Sequence, residues 1–140
     1  MTTTMTAGLK VGDTFSQRLV EDLKRTQIVQ YAGASGDYNP LHTDEIFTTK
    51  VAGYPSVFAH GMLTMGMTGK LLTDKFGDGK LTKYGVRFTS QVFPGDTLDA
   101  TATVTKVFDR DGAKLVEVEV STKNQNGVEV LKGYAEARLD

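Results

Sequence analysis

Residues 60–76 form a helix-length segment whose apolar side chains, Met62, Leu63, Met65, Met67, Leu71, Leu72 and Phe76, are spread round nearly the whole circumference. A helix that is apolar on every side has to be buried. Beyond Gly77-Asp78-Gly79 come four strand-like segments, near 81–92, 97–108, 114–124 and 128–139. Alternation is plain in Leu98, Ala100, Ala102 and Val104, and in Val116, Val118 and Val120 with Glu117 and Glu119 opposite. Turn residues at Pro94-Gly95-Asp96, Asp109 to Gly112 and Asn124 to Gly127 separate the segments and predict that successive strands are antiparallel neighbours. Gly61, Gly66 and Gly69 each lower helix propensity by about 1 kcal/mol relative to alanine. Close packing on a sheet is the simplest compensation. The expected class is α+β, a curved antiparallel sheet around one long central helix.

The first half of the chain has another character. A short strand is expected over Thr14 to Leu19, and Asp22 is placed to cap a helix running to about Tyr31, with Leu23, Ile28 and Tyr31 or Ala32 on one face. From Gly33 to Pro55 the composition is Gly, Asp, Asn, Pro and Tyr, which predicts an ordered loop with a turn of helix near Asp44 to Phe47. Long loops in small domains are usually functional.

Several classes are excluded by composition. At 140 residues the chain suits a single domain over 1–140, with no repeat and no linker. Its 16 basic and 17 acidic side chains nearly balance and form no like-charged run, so nucleic acid is not an expected partner. Lys75, Lys80, Lys83 and Arg87 read as a solvated rim, with contact to phosphates or to an acidic protein face as the other reading. The start, Met1 to Lys10, is polar and rich in threonine, and no apolar run is long enough to span a bilayer, which predicts a cytoplasmic protein without a membrane partner. Without cysteine there is no disulfide, thiolate nucleophile or thiolate metal site.

Chemistry concentrates in Gly36-Asp37-Tyr38-Asn39-Pro40-Leu41-His42. A carboxylate and an imidazole together can hold a water molecule and move its proton, and the Asn-Pro pair between them favours an ordered turn. The bland reading is an Asx turn followed by a histidine bonded to backbone. The only other histidine, His60, opens the central helix beside Gly61. Neither Gly33-Ala34-Ser35-Gly36-Asp37 nor Gly79-Lys80 has the spacing of a nucleophile elbow or a phosphate loop. His42, Asp44 and His60 have no recognised metal-ligand spacing.

Taken together, Tyr31-Ala-Gly-Ala-Ser-Gly-Asp37-Tyr-Asn-Pro-Leu-His42, Ala59-His60-Gly61-Met62-Leu63 and Pro94-Gly95-Asp96-Thr97-Leu98 resemble the MaoC-like family of (R)-specific enoyl-CoA hydratases and (3R)-hydroxyacyl-thioester dehydratases. Within it the look is nearest to the dehydratase subunits of mycobacterial type II fatty acid synthesis. That resemblance implies a hot dog fold, dimeric with the two sheets joined edge to edge, and a hydro-lyase acting on thioesters of coenzyme A or acyl carrier protein without metal or other cofactor. It places Asp37 and His42 on the catalytic pair and the Gly61 amide on the donor to the thioester oxygen. Tyr38, Asn39, His60, Met62 and Met65 are the expected substrate-binding residues. One departure is Thr48, where the family pattern has Ala or Ser. Thr64, Thr68 and Thr73 stand in a helix where some members use a serine. Alternatives are a hot dog acyl thioesterase, and a subunit of a heterodimeric dehydratase in place of a homodimer.

Overall fold

The computed structural model describes residues 8–140, and the polar start of the chain, 1–7, lies outside the described residues. Strand β1 (Thr14–Val20) leads through helix α1 (Arg25–Ser35), a single turn α2 (Pro40–Thr43) and a π-helical turn (Phe47–Val51) into the central helix α3 (Gly61–Phe76). Four strands follow: β2 (Leu81–Phe88), β3 (Leu98–Arg110), β4 (Ala113–Lys123) and β5 (Glu129–Arg138). They form one antiparallel sheet in the order β1-β3-β4-β5-β2, curved around α3 in the hot dog arrangement. Among the described residues no helix is long and apolar enough to cross a membrane.

Cross-strand register explains how the sheet receives the helix. Paired residues point to one face, so Ala102, Val120, Gly133 and Val86 form one row across β3, β4, β5 and β2. Val104, Val118, Ala135 and Tyr84 form the next, and Ala100, Thr122, Leu131 and Phe88 the third. Small residues in the middle of these rows make room for α3, and burial of Leu71, Leu72 and Phe76 against them forms the centre of the core. At Gly133 a Cβ would stand 2.1 Å from the Gly85 carbonyl oxygen, so only glycine fits that β5–β2 crossing.

Two of the three helix glycines are explained by close approach. A methyl group at Gly61 would lie 2.9 Å from the Phe88 ring and one at Gly69 would lie 3.3 Å from the Tyr84 ring, so the two β2 aromatics seat on the bare backbone of α3. Gly66 faces nothing within 4 Å. In this single chain α3 is not buried on every side as its composition predicts. Thr64, Thr68, Leu71, Leu72 and Phe76 are its buried face, while Met62 is 58% exposed. The threonines are tolerated there because Thr68 and Thr122 satisfy each other through a 2.6 Å hydroxyl pair.

Two further expectations are corrected. Strands β2 and β3 are not neighbours: β2 pairs with β5 at the far edge. Pro94-Gly95-Asp96 is a turn, but Leu23 N–H donates to the Asp96 carbonyl (2.9 Å) and Gly95 N–H to the Leu23 carbonyl (2.8 Å), so it ties the connection to the start of α1 and not to β2. Helix α1 is capped at Lys24, whose N–H donates to the Gln27 side chain (2.9 Å), whereas Asp22 sits at φ 54° with its N–H on the Thr97 hydroxyl. The helix runs on to Ser35 and stops at Gly36, whose φ of 77° suits glycine and turns the chain into Asp37.

Candidate active site

Segment 36–60 has no sheet ladder, and its polar side chains supply the bonds instead. Asp37 N–H donates to the Ser35 hydroxyl (3.2 Å), and the Asp37 carboxylate accepts the Asn39 N–H (3.2 Å). Asn39 in turn caps α2 by accepting the Leu41 N–H (3.0 Å), with Pro40 at the first helical position, where a missing N–H costs nothing. Thr48 is fully buried, and its hydroxyl lies 2.7 Å from the Asp44 carbonyl and 3.1 Å from that of Pro40. The hydroxyl at this departure from the family pattern is therefore satisfied. Phe58 N–H donates to the Leu41 carbonyl and Ala59 N–H to that of Val92, which draws α2, the start of α3 and the 88–92 connection together.

This framework sets the tautomer of His42. Its Nδ1 lies 2.7 Å from the Phe58 carbonyl oxygen, which can only accept, so Nδ1 carries a proton and in the neutral ring Nε2 presents the lone pair. His60 is 2% exposed, and its Nε2 donates to the Asp37 main-chain carbonyl (3.0 Å). The two imidazoles stack with centroids 3.8 Å apart and planes 23° apart, and His60 also meets the Tyr31 ring at a steep angle, 64° between planes. One ring nitrogen of each histidine and a carboxylate oxygen of exposed Asp37 lie within 4.8 Å of one another. A shared metal ion fits this arrangement poorly, because a metal lies near the plane of each imidazole it binds and near-parallel stacked rings do not aim at one point.

Gly61 opens α3, and the His60 side chain makes no capping bond; the Leu63 N–H already donates to the His60 carbonyl (3.1 Å), which leaves the Gly61 and Met62 amides at the helix end open to a ligand. Beside Gly61 is a cavity of about 300 Å³ lined by Phe58, Ala59, Thr64, Phe88 and the 89–92 connection, with Val130 behind. Of the residues expected to bind substrate, none lines it. Tyr38 is 69% exposed, Met62 projects outward, Met65 packs on the core, Asn39 is occupied by its cap, and His60 lies behind His42. The lining comes largely from Phe88 to Val92, which read in sequence as the tail of a strand. Phe58 was also missed, since its contribution to His42 is a backbone carbonyl that no side-chain pattern reveals.

The hot dog sheet and helix thus bring a carboxylate, an imidazole and a helix N-terminus into one neighbourhood. Residues 6–127 match the MaoC like domain, and the chain belongs to this family. It is 46% identical over 67 residues to 3-hydroxyacyl-thioester dehydratase Y of Mycobacterium tuberculosis, a stretch covering 46% of this chain and 23% of that protein. With the mitochondrial 3-hydroxyacyl-[acyl-carrier-protein] dehydratase of Arabidopsis thaliana it shares 33% identity over 137 residues, 94% of this chain and 78% of the other. Among solved structures, the (R)-hydratase from A. caviae involved in PHA biosynthesis superposes with a TM-score of 0.82 at 26% identity, covering 96% of this chain and 99% of that one. Matched stretches span only 23% and 32% of two mycobacterial relatives, so the chain corresponds to about a quarter to a third of their length.

Proposed function

We propose that the protein reversibly hydrates trans-2-enoyl thioesters to (3R)-hydroxyacyl thioesters. The observation that carries this reading is the His42 setting: with Nδ1–H held by the Phe58 carbonyl, the neutral ring keeps Nε2 as its proton acceptor, and a ring nitrogen of His42 lies within 4.8 Å of an Asp37 carboxylate oxygen. One water held between them would add its oxygen to carbon 3 while the pair takes one of its protons and delivers a proton to carbon 2. Charge then gathers on the thioester oxygen, where the Gly61 N–H at the start of α3 is already oriented to receive it. Loss of one such donor typically costs about 10²–10³ in rate. The 300 Å³ cavity beside Gly61 is the place for the acyl chain. Names borne by the relatives, hydratase and dehydratase, support the same chemistry.

A dimer accompanies this proposal. Strand β2 is a sheet edge, and exposed Phe88 and Tyr134 lie on and beside it, as an edge-to-edge partner would require. A second copy is the simplest occupant. One solved relative in fold is described as a ChsH1-ChsH2 complex, which keeps a heterologous partner as the alternative.

Absorbance of the conjugated enoyl thioester tests the reading. Purified protein should bleach crotonyl-CoA or a longer 2-enoyl-CoA with the thioester intact and a (3R) product, and Asp37→Asn should abolish the signal. Release of free thiol would replace hydratase by thioesterase, and an inert protein with both substrates would overturn the reading for coenzyme A thioesters.

A further inference from the structure

His60 stands directly behind His42 and is not among the residues that line the cavity beside Gly61. Its ring is buried against those of His42 and Tyr31, and Nε2 makes a single hydrogen bond, to the main-chain carbonyl of Asp37. The other ring nitrogen, Nδ1, is buried with no partner. Leaving a polar atom in that condition costs about 1–3 kcal/mol. Phenylalanine or leucine would fill the place against these two rings without the penalty. Packing therefore does not account for a histidine here, whereas the bond from Nε2 does.

What that bond joins is informative. The Asp37 carbonyl belongs to the residue whose side chain reacts, in a loop whose other anchors, the Ser35 hydroxyl and the Asn39 N–H, are themselves exposed. The face of His60 lies on His42, whose opposite constraint is the Phe58 carbonyl. His60 is also the residue before Gly61, at the first turn of α3. One rigid side chain thus touches both the carboxylate loop and the imidazole, and its backbone leads into the amide donor.

We propose that His60 is a positioning residue that locks the Asp37 loop at its working distance from His42 through the Nε2–H bond to the Asp37 carbonyl; this rests on the hydration reading above. The reach and donor are specific. Glutamine can carry an N–H to the same carbonyl, asparagine is too short, and phenylalanine keeps the stacking but has no donor.

The test compares His60→Gln, His60→Asn and His60→Phe in the full chain, with kcat and KM on crotonyl-CoA and the imidazole ¹⁵N shifts of His42 as readouts. A misplacement near 1 Å costs about 10²-fold, so Asn and Phe should lose about that in kcat with KM little changed, and Gln should remain near wild type. In the same two variants the His42 shifts should move as the Asp37 carboxylate beside the ring is released, while still reporting the Nδ1–H tautomer that the Phe58 carbonyl holds, and in Gln they should not move. If Phe works as well as wild type, or Gln fails as badly as Phe with an altered melting temperature, His60 is a packing residue and the proposal falls. Should Phe fail to fold, the contrast of Gln with Asn decides. A wild-type protein that hydrates no thioester defeats the functional reading alone, since the His42 shifts still report whether His60 sets the geometry.

Discussion

The segment from Gly36 to His60 and the sheet from Leu98 to Arg138 are held together by different forces. In the sheet, backbone pairs with backbone along strands of 10 to 13 residues, and the inward side chains are mostly apolar and buried. In the loop segment the side chains of Ser35, Asp37, Asn39, Asp44 and Thr48 satisfy the backbone, and few of them are buried. A sheet tolerates small shifts because its apolar contacts have no direction, whereas hydrogen bonds weaken steeply with angle and fix orientation. Groups that must meet a reacting atom at one angle are placed by the second kind of structure and supported by the first.

Substitution can break that division of labour. His42→Ala should reduce kcat by about 10²–10⁴-fold, the span usual for loss of a proton-transfer group, while leaving the thermal melt close to wild type because the ring is only half-buried. A coincident collapse of stability would mean that the segment is part of the core after all. Leu72→Ala reverses the pattern. Leu72 is fully buried in α3 against the sheet, and its truncation should cost about 2–5 kcal/mol in chemical denaturation. Activity per folded molecule should survive it, unless the cavity beside Gly61 collapses with the helix.

Thr48→Val probes the boundary between the two regimes. The Asp44 and Pro40 carbonyls near its hydroxyl already accept the Thr48 and Asp44 N–H groups, so removing the hydroxyl orphans neither. The cost should be about 1 kcal/mol, the worth of one net hydrogen bond. Its effect on kcat should exceed its effect on stability if the π-helical turn steadies α2 and His42. Equal effects would make Thr48 an ordinary core residue.

The same contrast explains what could be read from the sequence. Strands β3, β4 and β5 were legible because alternation reports a buried face directly, and the ends of all three fell within two residues of expectation. The pairing of β2 was not. Pro94-Gly95-Asp96 has the composition of a hairpin turn, yet its backbone groups bond to Leu23, a residue about seventy positions away that local pattern does not mention. Asp37, His42 and Gly61 were legible as a motif, and the fold brings them to one place. Met62 and Met65 read as core residues whose flexibility would also suit the wall of a tunnel, whereas Thr64 is the residue of α3 beyond Gly61 that lines the cavity. His60 was legible as unusual but not as a tether, since its tautomer depends on which carbonyl lies opposite.

The smallest expected effect lies on the sheet and sharpens the comparison by showing a polar contact that serves stability and not chemistry. Glu136 is 4% exposed on β5 and accepts both guanidinium nitrogens of Arg110 (2.9 and 3.1 Å) and the Thr82 hydroxyl (2.7 Å). The guanidinium, then the hydroxyl, hold its carboxyl below the ordinary value of 4.5, and burial opposes them more weakly. A carboxyl depressed in the folded state binds its proton more readily once unfolded, so its contribution is present above the ordinary value and is lost as pH falls through the depressed one. Glu136→Gln should therefore lower the melting temperature modestly at pH 7, since Arg110 is half exposed and regains water when its partner goes. On acidification the gap between variant and wild type should start to close near pH 4.5 and vanish below the folded value. Hydration activity at pH 7 should not change. A gap that widened in acid would mean that the buried carboxyl destabilises the fold when charged, and that Arg110 does not offset its burial.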